Sequence, residues 1–126
     1  MLKVVCVDDE KQSLQHLASL CRNIPEIAAV NSFGKSGEAL AWIESHPCDL
    51  ILLEISMPEM DGITLARKIR EIRPDTDIVF VTAHSEYAID TWSIHPSGFI
   101  VKPVTQKTLQ EEVDYVLSFR SRRISG

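Results

Sequence analysis

Five short apolar runs, each followed by a stretch whose apolar residues recur at helical spacing, restrict the folds open to this chain more than any other feature. Leu2-Lys-Val-Val-Cys-Val7 is β-branched and nearly continuous in its apolarity, which is how a strand buried on both faces reads. Ile27 to Phe33 is a second, less regular run, and Asp49-Leu-Ile-Leu-Leu-Glu54, the most apolar, reads as the central strand. Asp77 to Thr82 and Gly98 to Val101 complete the set. Between them, Leu14, Leu17, Ala18 and Cys21 give Lys11 to Asn23 one apolar face, and Pro25 marks that helix's end. Ser36 is the expected cap of a second helix through Ser45, with Ala39, Leu40 and Ile43 inward. Leu65, Ala66, Ile69 and Ile72 mark a third helix, stopped by Pro74. Ser85 is the expected cap of a fourth helix carrying Ala88, Ile89 and Trp92, and Leu109, Val113, Val116 and Leu117 form the face of the last.

Strands alternating with helices predict a parallel sheet covered on both faces, with right-handed crossovers. The 126 residues suit one domain. Its expected extent is residues 1–120, and the polar, basic residues 121–126 read as the start of a linker. A net charge of −5 argues against direct contact with nucleic acid, which needs a basic face. Cys6, Cys21 and Cys48 form no C-x-x-C pair and read as reduced packing thiols of a cytoplasmic protein. Asp8, Asp9 and Glu10 break the N-terminal apolar run too early for a signal peptide, and no stretch reaches membrane-spanning length. His16, His46, His84 and His95 share no ligand spacing, and Trp42 and Trp92 read as packing residues.

Ligands of an open parallel sheet sit outside the carboxyl ends of its strands. The first strand ends at Asp8 and Asp9, the third at Glu54, the fourth at Thr82 and the fifth at Lys102, followed by Pro103. Singly, each has an ordinary reading: an acid pair caps helices, and Lys-Pro is a common loop dipeptide. Together they bring three acids, a hydroxyl and an amine to one edge. Crowded carboxylates repel and need compensation. A hard cation held by oxygens and water supplies it, and Lys102 and Thr82 offer further partners for a phosphoryl group, whose transfer asks mainly for positioning and charge neutralisation.

Val7-Asp-Asp-Glu10, the run from Asp49 through Glu54 and Ser56-Met-Pro-Glu-Met-Asp-Gly62, Phe80-Val-Thr-Ala83 and Val101-Lys-Pro103 resemble, in order and spacing, the motifs of bacterial two-component response regulator receiver domains. The resemblance covers residues 2 to 120. Thr82 to Trp92 followed by Gly98-Phe-Ile-Val-Lys-Pro is similar to receivers joined to LytTR-type (LytR/AlgR-like) DNA-binding domains. The family implies a flavodoxin-like (βα)5 doubly wound parallel five-stranded sheet in strand order 2-1-3-4-5. It implies Mg²⁺ (or Mn²⁺ or Ca²⁺) held by Asp8, Asp9, residue 54 and the Ser56 backbone carbonyl. Thr82 matches the switch hydroxyl, Phe99 the aromatic that turns inward, Lys102 the phosphate-binding lysine, and Lys102-Pro103 a cis peptide. The implied partners are a sensor histidine kinase, a DNA-binding output domain, and a second copy through helix four, strand five and helix five. No enzyme activity, membrane contact or nucleic-acid contact is expected of the domain itself.

The departure is Glu54, where the family carries the phosphoaccepting Asp. The extra methylene extends the carboxylate by about 1.5 Å, and a misplacement of about 1 Å can cost 10²-fold in rate. Poor phosphorylation and partial imitation of the phosphorylated state are therefore expected. One charge stands where a phosphoryl group brings nearly two. A natural degenerate receiver and an engineered activation mimic both fit. The rival class is a non-switching interaction module. A flavin carrier or phosphatase is disfavoured, because the loop after the first strand lacks a Gly-rich or Ser/Thr-rich phosphate cradle.

Overall fold

The computed structural model describes residues 1–125, and side chains through residue 122; Gly126, at the end of the expected linker, lies outside the described residues. Strands β1 (Leu2–Val7), β2 (Ile27–Phe33), β3 (Leu50–Leu53), β4 (Asp77–Thr82) and β5 (Gly98–Val101) form one sheet in the order β2-β1-β3-β4-β5. Every pairing is parallel, so the flavodoxin-like expectation holds. Side chains alternate across a strand, and the central strands feed two cores. Val4, Cys6, Leu50, Leu52, Val79 and Val81 face one side, under α1 (Lys11–Arg22) and α4 (Gln106–Ser125). Val5, Val7, Ile51, Leu53, Ile78 and Phe80 face the other, under α2 (Ser36–Ser45) and α3 (Gly62–Ile72). Burial on both faces explains why β3 reads as an uninterrupted apolar run.

The expected fourth helix is instead a 3₁₀ segment, Ser85–Ile94. Three residues per turn places positions three apart on one side, so Thr91 and Ile94 face inward and Ala88 is half-buried. The Thr91 hydroxyl donates to the Ala88 carbonyl at 2.7 Å. Ile89 and Trp92, expected inward on a 3.6-residue period, are 72% and 71% exposed. Ser85 does not cap this segment: His84 precedes it and makes no capping hydrogen bond. Lys35 rather than Ser36 is the N-cap of α2, so the Ser36 hydroxyl is free for other work. All three cysteines are free and buried, with Cys6 and Cys21 sulfurs 4.0 Å apart. Trp42 packs tilted against Phe33 and stacks on His46.

α4 continues through the expected linker residues as far as Ser125 and is tied to the sheet at the edge opposite the acids. The Arg120 guanidinium donates to Asp77 Oδ2 at 2.7 Å, to Asp49 Oδ1 at 3.2 Å and to the Asp49 carbonyl at 2.6 Å. Buried Asp77 also accepts from the Ser97 hydroxyl at 2.6 Å. Removing one partner of a buried charge pair leaves the other uncompensated. Arg120→Ala should therefore lower unfolding stability by about 2–4 kcal/mol. Arg120→Lys should recover less than half, because an ammonium cannot fork. Urea unfolding of the three proteins measures both effects.

Candidate functional site

The carboxyl edge of the sheet assembles Asp8, Glu54, Thr82 and Lys102. Asp8 extends β1, its amide donating to the Phe33 carbonyl at 3.1 Å, and its side chain is buried. Its Oδ1 accepts the Glu10 amide at 2.9 Å, a short turn that aims Oδ2 across the sheet. The Glu54 amide donates to the Val7 carbonyl at 3.0 Å, which sets the third strand's end beside the first. Lys102 follows β5, its amide donating to the Thr82 carbonyl at 2.8 Å, and the Lys102–Pro103 peptide is cis, as the motif implies.

The Lys102 ammonium lies between two buried acids, 2.7 Å from Asp8 Oδ2 and 2.9 Å from Glu54 Oε1. The second Glu54 oxygen curls back onto its own backbone and accepts the amides of Ile55 at 2.7 Å and Ser56 at 3.3 Å. Thr82 is fully buried. Its hydroxyl oxygen accepts the His84 amide at 3.3 Å. A Cβ at Gly62 would overlap the Glu54 carbonyl, so only glycine lets the start of α3 approach this strand end. Phe99 is half-buried, its ring centre 6.5 Å from that of Phe80.

The two acids titrate in opposite directions. For Asp8 burial dominates and raises the carboxyl above its ordinary value, despite the opposing hydrogen bonds from Lys102 and the Glu10 amide. For Glu54 burial also disfavours the charge, but the Lys102 and Thr82 hydrogen bonds, the Lys102 charge and the Ile55 amide outweigh it and hold the carboxyl low. Burial opposes the Lys102 charge, and the two acids overcome it and raise the ammonium above its ordinary value.

Asp9 is exposed. Among the described residues, no group of three or more His, Cys, Asp or Glu side chains stands arranged to hold a metal ion. Asp8 and Asp9 with the Ser56 carbonyl remain an all-oxygen set of two carboxylates and a carbonyl. That donor chemistry fits Mg²⁺, which keeps several waters and takes one or two carboxylates. The residues that sequence reasoning missed are the Ile55 and Ser56 amides and Ser36. Backbone donors carry no residue signature, and Ser36 read as a helix cap.

The doubly wound sheet with a lysine-bridged acid pair at its carboxyl edge places the chain in the class of parallel α/β domains with a charged site at the strand ends, and the comparisons name the family. Residues 4–114 match the response regulator receiver domain family, and the chain belongs to that family, the receiver of two-component systems. It is 33% identical over 111 residues to the positive alginate biosynthesis regulatory protein of Pseudomonas aeruginosa, covering 87% of this chain and 45% of that protein. It is 26% identical over 121 residues to the transcriptional regulatory protein LytR of Staphylococcus aureus, covering 96% of this chain and 49% of that one. The chain thus spans about half the length of the curated relatives it matches. Among solved structures, a CheY-like receiver domain from Methanospirillum hungatei superposes with a TM-score of 0.87 at 26% identity, covering 98% of this chain and 99% of that one. The response regulator TrrA of Thermotoga maritima, solved in complex with Mg²⁺ and BeF, does so with a TM-score of 0.83 at 28% identity, covering 92% and 99%. Among the described residues no helix is long and apolar enough to cross a membrane.

The raised Asp8 carboxyl has a definite sign. Ionised Asp8 opposes folding above its unfolded-state value, and that cost vanishes as pH falls and the group protonates in both states. Asp8→Asn should therefore unfold at a higher temperature than the parent at neutral pH, with the difference closing toward pH 4. Thermal unfolding across pH tests this.

Proposed function

We propose that the chain is a signalling switch in which the Glu54 carboxylate stands where its relatives carry a phosphorylated residue. The observation that carries this reading is the set of donors on Glu54: the Lys102 ammonium and the Ile55 and Ser56 amides. These are donors suited to a multiply charged anion. Here they converge on one carboxylate, which supplies part of the charge that a phosphoryl group would bring. Asp8, Asp9 and the Ser56 carbonyl would hold Mg²⁺, which supplies positive charge for acid-crowded phosphoryl chemistry. In this reading Thr82 and Phe99 report the charge at position 54 to the far surface, a local electrostatic bias on a bistable packing.

That surface comprises the 3₁₀ segment, β5 and α4, and it exposes Ile89, Trp92, Val101, Tyr115 and Phe119. Its apolar character supports pairing with a second copy. The remaining parts of the reading are a non-enzymatic cytoplasmic domain, a sensor histidine kinase as upstream partner, and a LytTR-type DNA-binding output domain. The domain would end near residue 120. The rival reading, a non-switching interaction module, draws support from Lys102, which already balances both acids without an ion.

Glu54→Asp compared with the parent separates the two. Incubated with acetyl phosphate and MgCl2, the Asp variant should gain one phosphoryl group by intact mass while the parent gains none; stoichiometric labelling of the parent contradicts the reading. Thr82→Ala should uncouple self-association from the residue at position 54, as measured by sedimentation. Unchanged coupling contradicts a relay through Thr82, whereas self-association that ignores position 54 in the parent favours the interaction module.

A further inference from the structure

The loop from Ile55 to Asp61 carries the two amides that hold Glu54 and the Ser56 carbonyl of the proposed cation site, so its position sets the geometry of both. Within the loop, the Met60 amide donates to the Pro58 carbonyl at 2.8 Å, and the Gly62 amide closes the loop onto the Ile55 carbonyl at 2.7 Å. Asp61 caps α3, accepting the Thr64 amide at 2.8 Å. Glu59 adopts a left-handed backbone with φ of 67°, a conformation that a non-glycine residue keeps only where its surroundings hold it. These bonds fold the loop on itself but do not anchor it to the rest of the protein.

Ile55 and Met57 are buried in the core beneath α2 and α3, and the polar anchor comes from α2. The Ser36 hydroxyl, buried in the helix's first turn, donates to the Met60 carbonyl at 2.8 Å and lies 3.8 Å from the Met57 sulfur. Among the described residues, Ser36 is the one side chain outside residues 54–65 that hydrogen-bonds this loop. It contributes no side-chain bond to capping its own helix. A serine placed as a helix cap by sequence thus spends its hydroxyl on the loop, some twenty residues further along the chain (|i−j| of 24 for Met60).

We infer that Ser36 is a positioning residue for the signalling site, holding the 55–61 loop so that the Ile55 and Ser56 amides meet the anion at position 54 and the Ser56 carbonyl faces the cation position. The cation half of this inference rests on the proposed Mg²⁺ site; the amide half does not. Ser36 bonds Met60 rather than a ligand, so its effect on a bound ion passes through the loop backbone to the Ser56 carbonyl, as lost supports around metal ligands lower affinity.

Ser36→Ala and Ser36→Thr, each in the full chain, test it with two readouts. The first is amide hydrogen exchange without metal. Ile55, Ser56 and Met60 should exchange faster in the Ala variant and at parental rates in the Thr variant, which keeps the hydroxyl, while the β1 and β3 amides are unchanged in both. Loop amides that keep parental protection in Ser36→Ala overturn the inference, as does a uniform loss of protection across the sheet. The second is titration with MgCl2, followed by the amide shifts of Asp9 and Ser56. The Ala variant should bind Mg²⁺ roughly ten-fold more weakly than the parent, and the Thr variant within about two-fold of it on the same scale. Equal affinities in parent and Ala variant overturn the cation half. A parent that binds no Mg²⁺ sinks the proposed ion site instead, and the exchange data alone then decide the role of Ser36.

Discussion

One ammonium group lies at the centre of this structure. A parallel sheet with five strands delivers its carboxyl ends to one rim, and in this sequence two of those ends are buried acids. Asp8 and Glu54 could not both stay ionised so close together in a half-dry environment without a positive partner. Lys102 supplies it, at 2.7 and 2.9 Å. The rest of the site follows from this arrangement. Glu54 has an oxygen left over for the backbone amides of the following loop, and α3 must begin with a residue small enough to approach its carbonyl.

The arrangement also explains why two carboxylates bonded to the same lysine differ in their proton affinity. Asp8 receives Lys102 and one amide, too little to repay its burial. Glu54 receives Lys102 and two amides, and its carboxyl is held below the ordinary value. The two acids at this rim are therefore held differently: the Glu54 charge is favoured and the Asp8 charge disfavoured. Here the geometry favours a charge built into the chain.

Much of this was legible in the residues. The five apolar runs fell where the strands are because burial on both faces leaves a simple, nearly unbroken signature, and the strand-end rule then gathered Asp8, Glu54, Thr82 and Lys102 without coordinates. The failures have physical causes. Ala88, Ile89 and Trp92 fit a 3.6-residue period, but the segment winds with three residues per turn and turns Thr91 and Ile94 inward instead. Ser36 has the residue type of a cap, and nothing local says that its hydroxyl will find a carbonyl on another element. The backbone amides that hold Glu54 were invisible for the simplest reason, since every residue but proline has one.

The account depends on Lys102 and Glu54 being energetically coupled, and a double-mutant cycle measures that coupling directly. Lys102→Met, Glu54→Gln and the double variant, each unfolded in urea at neutral pH beside the parent, give the interaction energy free of the separate costs of each substitution. The structure predicts a favourable coupling of about 1–3 kcal/mol. A coupling indistinguishable from zero would mean that the lysine does not hold the acid at position 54, and the charge balance described for this rim would be wrong.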